Sequence, residues 1–177
     1  MKFLFPLLLT AAAASASVTI THVFPSGLAV PDNNITGLAD SRVISGQSGP
    51  IQQLTVSLEL SGGWNGDLYA HLVHETGFAV LLNRIGRSAS NTVGSGSSGL
   101  HAVFDDSAAF DIHLLGSTAG QITGTWQPDA RTGDPDAVTN ASPRDALLSS
   151  FNGLSAQGRW TLFLADLIPL CYKMSIS

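Results

Sequence analysis

The chain has 177 residues, 44% of them apolar and 12% charged, which is enough apolar material for one buried core and the wrong balance for a disordered chain. Its formal net charge of −5 sets thirteen carboxylates against six Arg and two Lys, and so disfavours binding to nucleic acid or to an anionic membrane surface. One Cys excludes a disulfide framework, a zinc ribbon and a CxxC redox site, while eighteen Gly and eight Pro argue for many turns and few long helices.

Residues 1–16 read MKFLFPLLLTAAAASA. One Lys, an apolar run and small residues ending in Ala14-Ser15-Ala16 have the order of an export leader with its A-x-A cleavage site. This predicts a signal peptide over 1–16 and a mature single domain over 17–177, secreted or periplasmic/extracellular. The apolar run is shorter than the roughly 20 residues of a membrane span, and no longer one follows, so no span is expected in the mature chain. Asn34-Ile35-Thr36 is a formal N-glycosylation sequon, and Asn140-Ala141-Ser142, followed by Pro143, a poorer one. Without a second Cys, an exported domain depends on its core, or on bound ions, for stability.

The dominant period along the chain is two. Short strand candidates at 18–23 and 42–45 are followed by Leu54, Val56, Leu58 and Leu60 alternating with Thr55, Ser57 and Glu59. Leu68, Ala70 and Leu72 repeat the pattern, then come candidates at 78–82, 101–104, 111–115 and 122–127. Trp160, Leu162 and Leu164 alternate again, and 172–176 supplies a short last strand. Ser61-Gly62-Gly63, Asn65-Gly66, residues 116–120 and Asn152-Gly153 mark turns between them. About ten short strands at such spacing predict an all-β, antiparallel β-sandwich. Residues 86–99, rich in Gly and Ser, read as a solvated connection, and residues 129–145 as a second surface loop.

Catalytic and metal motifs fail one by one. His74-Glu75 opens like HExxH, but Phe78 stands where the second ligand belongs. His71 and His74 are three apart on a strand, so they point to opposite faces and cannot chelate together; both read as surface or half-buried histidines. Asp134-Pro135-Asp136 lacks the closing Glu of an EF-hand, and Gly153-Leu154-Ser155-Ala156-Gln157 breaks the GxSxG elbow at its last position. Cys171 has no nearby His. No catalytic constellation can be assembled, and the expectation is a chain that is not an enzyme. What remains is a set of acidic residues at strand ends: Asp32, Asp67, Asp105, Asp106 and Asp166. Such carboxylates either cap turns through backbone N–H groups or, as at the Asp105-Asp106 pair, bind calcium through oxygen ligands.

These residues fall in an ordered series of words: Pro31-Asp32-Asn33; Gly66-Asp67-Leu68; Leu82-Asn83-Arg84-Ile85-Gly86; Phe104-Asp105-Asp106-Ser107-Ala108; Gly124-Thr125-Trp126-Gln127-Pro128; and the run from Leu148 to Leu162, LSSFNGLSAQGRWTL. In this order, over about 27–166, the chain resembles the P domain (Homo B domain) of kexin/furin-type proprotein convertases and related bacterial subtilases. The resemblance implies a jelly-roll-like sandwich without a catalytic triad, a domain that supports the folding, stability and pH or calcium response of a subtilisin-type protease domain. It implies architectural roles: Trp160 and Phe151 in the core, Gly153 and Gly158 in tight turns, Asp67 and Asp106 holding strand ends. Some bacterial members bind calcium here, which makes Asp32, Asp105 and Asp106 the candidate calcium ligands.

Two departures from the family pattern stand out. Glu75 occupies a turn position where Pro is common. The tail 167–177 reads LIPLCYKMSIS in place of a Gly-rich turn and a Trp-containing last strand, and an unpaired last strand would leave an edge exposed. Since the leader runs directly into the P-domain-like part, the functional expectation is an exported, non-catalytic module that stabilises or binds a partner, such as a separately encoded protease. Two alternatives stay open: a detached C-terminal part of a serine-type endopeptidase, and a carbohydrate-binding sandwich using Trp64 or Trp126.

Overall fold

A computed structural model describes residues 27–169 and the backbone of residues 174–176. The leader, the strand expected at 18–23 and Cys171 lie outside the described residues. Among the described residues the only helical segments are three short 3-10 turns, and nine strands carry the fold: β1 (Ala29–Val30), β2 (Leu38–Ile44), β3 (Val56–Ser61), β4 (Leu68–His74), β5 (Gly77–Asn83), β6 (Leu100–Phe104), β7 (Ile122–Trp126), β8 (Gly158–Asp166) and β9 (Met174–Ile176). They form two sheets, a five-stranded one in the order β1-β9-β3-β6-β7 and a four-stranded one in the order β2-β8-β4-β5. All pairings are antiparallel except β6 with β7, which run parallel across the connection over 105–121.

The period-two residues meet between the sheets. Leu58, Leu60, Leu100, Ala102, Phe104 and Ile122 come from one sheet, and Leu68, Ala70, Leu72, Leu162 and Leu164 from the other. Phe151 and Trp160 close the core at one end, with ring centroids 5.2 Å apart. Gly153 (φ 85°) and Gly158 (φ 119°) sit in left-handed backbone that a side chain resists, which places glycine in the two turns leading into β8. Glu75, in the turn between β4 and β5, has φ 52°, a value closed to proline. The tail supplies strand β9, held between β1 and β3 through the pairs Ala29–Ser175, Ser61–Ser175 and Leu60–Ile176.

Three expectations need correction. Residues 111–115 form no strand: Asp111 accepts the His113 N–H and caps a 3-10 turn over Ile112–Leu114. Residues 86–99 are irregular and only partly solvated: Ala89, Ser90, Thr92, Val93, Gly96 and Ser98 are exposed, but Gly94, Ser95, Ser97 and Gly99 are buried. Their peptides bond Ile85, Gly66 and Asn65, so this loop covers the end of the sandwich from which β4 starts. Residues 129–145 are a surface loop for most of their length but begin inside the protein, where Asp129 and Ala130 pair with Leu81 and Val80 of β5 and Arg131 is buried.

Gly66 fixes that loop. A Cβ at Gly66 would lie 2.5 Å from the Ser95 backbone N and 2.7 Å from the Val93 carbonyl O, neither of which can swing aside like a side chain. Gly66→Ala is expected to cost about 2 kcal/mol of stability and to free the Gly66 and Ser95 amides to exchange with solvent, as read by hydrogen exchange.

Candidate functional site

The strand directions sort the acidic turn residues to opposite ends. Asp105 and Asp106 follow β6 at the end where β3 begins. Asp32 and Asp67 lie at the other end, beyond the ends of β1 and β3, and Asp166 ends β8 beside Leu68. Asp32 therefore does not share a site with Asp105 and Asp106. Their carboxylates are also already engaged. Asp105 accepts the Ser107 N–H and hydroxyl at 2.8 and 2.7 Å, bonds that hold its carboxyl below the usual range. Asp106 accepts the Leu148 and Ser149 N–H groups at 3.0 and 2.7 Å, capping the 3-10 turn Leu148–Phe151.

The unusual pair is Asp67 with Asp166. Both are buried, and both keep a carboxylate oxygen, Oδ2, with no hydrogen-bond partner. The chain places them together because the GDL word starts β4 directly opposite the end of β8: Leu68 pairs with Asp166, and the Leu167 N–H donates to the Asp67 carbonyl at 2.9 Å. The Asn34 N–H donates to the Asp166 carbonyl at 2.8 Å, which draws the Pro31-Asp32-Asn33 turn to the same place. The nearest cation is Arg84, whose Nη2 is 4.0 Å from Asp67 while its Nη1 is 3.1 Å from Asp136.

Burial, and then the charge of Asp166, push the Asp67 carboxyl up to about 6, with Arg84 opposing and Asp32 adding to the rise. Burial also raises Asp166 to about 6, against the Ile168 N–H bond and with Asp32. Two carboxyls in this state need a proton or a cation. Orphaned oxygens, hard-oxygen chemistry and a third nearby carboxylate fit calcium better than any nitrogen- or sulfur-seeking metal. Among the described residues no three His, Cys, Asp or Glu side chains converge into a ready-made metal cage, so peptide oxygens and water would have to complete the shell.

The outer faces of the two sheets differ. The first carries Glu59 and His101, paired at 3.5 Å. The second carries Tyr69, His71 and Val73 from β4, Phe78 from β5 and Phe163 from β8, all half-buried. His71 stacks on Phe163 at 4.8 Å and 18° and approaches Phe78 at 5.2 Å, and Tyr69 meets both His71 and Phe163 edge-on. Tyr69 and Phe163 continue into a shallow cleft of about 270 Å³ walled by Ile35, Pro135 and Leu167. The expected opposite facing of His71 and His74 is observed, but His74 is 1% exposed and belongs to the interior. Of the two tryptophans weighed for sugar stacking, Trp126 packs against the core and donates to the Thr123 carbonyl, while Trp64 is 43% exposed.

One carboxylate–imidazole pair resembles half of a catalytic triad and was not legible in the sequence: His113 Nδ1 lies 2.6 Å from Asp129 Oδ2. Both side chains are 0% exposed, and His113 Nε2 is taken by the Arg87 carbonyl at 2.9 Å, so that nitrogen cannot reach a substrate.

The raised carboxyls give a signed pH effect. The folded chain holds protons at Asp67 and Asp166 that the unfolded chain, titrating near 4, has lost. In chelator, stability is expected to fall as pH rises from about 4 to about 6 and to level off above. Asp166→Asn should flatten this decline and, at pH 7 in chelator, stabilise the domain by about 1–3 kcal/mol, read by denaturant unfolding across pH. No protein-family model, no curated protein and no solved structure matches this chain.

Proposed function

We propose that the chain is an exported, non-catalytic P-domain-like module that binds and stabilises a partner protein, with calcium neutralising the Asp67–Asp166 end of its sandwich. The observation that carries the binding role is the aromatic outer face of the four-stranded sheet. Tyr69, His71, Phe78 and Phe163 form a continuous uncharged surface, whereas solvated sheet faces carry charge, as the other sheet does at Glu59 and His101. The ordered words support the P-domain reading and its jelly-roll form, because they stand at turns and core positions: Gly66 under the 93–95 peptide, Asp106 as a cap, Phe151 and Trp160 in the core. By the same resemblance the partner is a subtilisin/kexin-type serine protease domain. Asp67 and Asp166, with Asp32 beside them, would hold the calcium ion in place of the expected set Asp32, Asp105 and Asp106. The ion supplies two positive charges where the fold buries two carboxylates.

Thermal unfolding in excess calcium and in chelator tests the ion: a gain of about 3 kcal/mol is expected at a hundredfold excess over Kd, and Asp67→Asn should abolish it. Indifference to calcium contradicts the site. Mixing with a subtilisin/kexin-type protease should raise the melting temperature of the mixture, and Phe163→Ser, on the outer face, should remove the effect without unfolding the module. Proteolysis by the purified chain itself, blocked by serine reagents, contradicts the non-catalytic reading. The exposure of Trp64 favours a second reading, carbohydrate binding; glycan-array binding lost on Trp64→Ala would select it over the first.

A further inference from the structure

Two buried histidines sit where only acceptors meet them. His74, the last residue of β4, lies flat on Trp160 with centroids 4.2 Å apart and planes 5° apart. Its Nδ1 is 2.9 Å from the Arg159 carbonyl O and its Nε2 is 2.7 Å from the Ser155 carbonyl O. His113 has Nδ1 2.6 Å from Asp129 Oδ2 and Nε2 2.9 Å from the Arg87 carbonyl O. A neutral imidazole has one N–H and one bare nitrogen. In either tautomer, one contact at each residue would set a nitrogen lone pair against an oxygen lone pair at hydrogen-bond distance.

We infer that His74 and His113 each carry both ring protons in the folded protein and act as positively charged pins. The His74 pin ties residues 155–159, the turn entering β8, to the end of β4. The His113 pin ties residue 87, at the start of the Gly/Ser loop, to Asp129, at the start of the second loop. Their surroundings suit the charge. Trp160 presents its ring face to His74, a cation–π arrangement. The charged groups around His74 are Glu75, whose Oε1 borders the same Gly158 as the ring, and Arg159, whose side chain alternates to the opposite face of β8. Around His113 they are Asp129, Arg131 at 3.3 Å from Asp129, Asp111 capping the His113 N–H, Arg144 at 3.5 Å from Asp111, and Arg87. His71 differs in kind: its Nδ1 has no hydrogen-bond partner, and burial among Phe163 and Phe78 disfavours its charged form.

Losing a proton from either pin converts a donated bond into a repulsive contact.

The test uses the full chain labelled with ¹⁵N-histidine in excess calcium at pH 7, where long-range ¹H–¹⁵N spectra separate rings with two N–H groups from rings with one. His74 and His113 are expected to show two, and His71 one. Assignment comes from His74→Gln and His113→Gln; if either variant fails to fold, two doubly protonated rings in the wild-type spectrum still support the inference. A bare nitrogen on His74 or His113 at pH 7 overturns it. The wild-type melting temperature should also drop by several degrees between pH 6.5 and 8.5 in calcium, with a shallower drop in each folded variant. A flat wild-type profile overturns the release of the pins.

Discussion

The fold depends on a constraint at one end of its four-stranded sheet. β4 and β8 are the two interior strands of that sheet, and the register pairing Leu68 with Asp166 sets the start of one against the end of the other. Asp67 and Asp166 must then enter the protein side by side, covered by the 93–97 peptide and the turn around Asn34. Arg84 answers only part of this charge, since it also bonds the Gly66 carbonyl and pairs with Asp136. The domain can close this end only when the two carboxyls have taken up a proton or a cation. Above about pH 6 such carboxyls hold few protons, and the proposed ion would then be what answers their charge.

The opposite end is held by different means. There Asp106 caps a 3-10 turn with two backbone bonds, Phe151 fills the space beside Gly77, and His74 draws the 155–159 turn onto Trp160. These groups are satisfied within the chain and need no ligand. One end of the sandwich therefore keeps two buried carboxylate oxygens without a hydrogen-bond partner, while the other is closed by its own side chains. Between them, the outer face of β4, β5 and β8 carries the aromatic cluster of Tyr69, His71, Phe78 and Phe163, which lies alongside the end that holds Asp67 and Asp166. Leu167 belongs to both regions, as a wall of the cleft and as the donor to the Asp67 carbonyl.

Much of the fold was legible because alternation survives in β3, β4 and β8: Leu58 and Leu60, Leu68 to Leu72, Trp160 to Leu164 all face inward as the period requires. Residues 111–115 misled because Ile112 and His113 are both buried and Asp111 turns the chain, a capping preference that local alternation does not reveal. The Gly/Ser run at 86–99 looked solvated because its burial comes from pairing with Asn65 and Gly66, roughly thirty residues earlier, and small residues give no apolar signal. The acidic site was half visible. Asp32 was singled out and lies at the same end as Asp67 and Asp166, but Asp105 and Asp106 drew attention by being adjacent in sequence, whereas carboxylate neighbours are made by topology. Asp67 and Asp166 are about a hundred residues apart, and only the pairing of β4 with β8 brings them together.

The central claim is that this carboxylate pair is the part of the fold left for an ion to complete. The most direct measurement is a ¹³C NMR titration of the Asp67 and Asp166 carboxyls in chelator and then in saturating calcium. The expected result is titration near pH 6 in chelator and a fall of both midpoints well below the ordinary carboxylate range near 4 once calcium is added. Ordinary carboxylate titration in chelator, unmoved by calcium, would contradict the account.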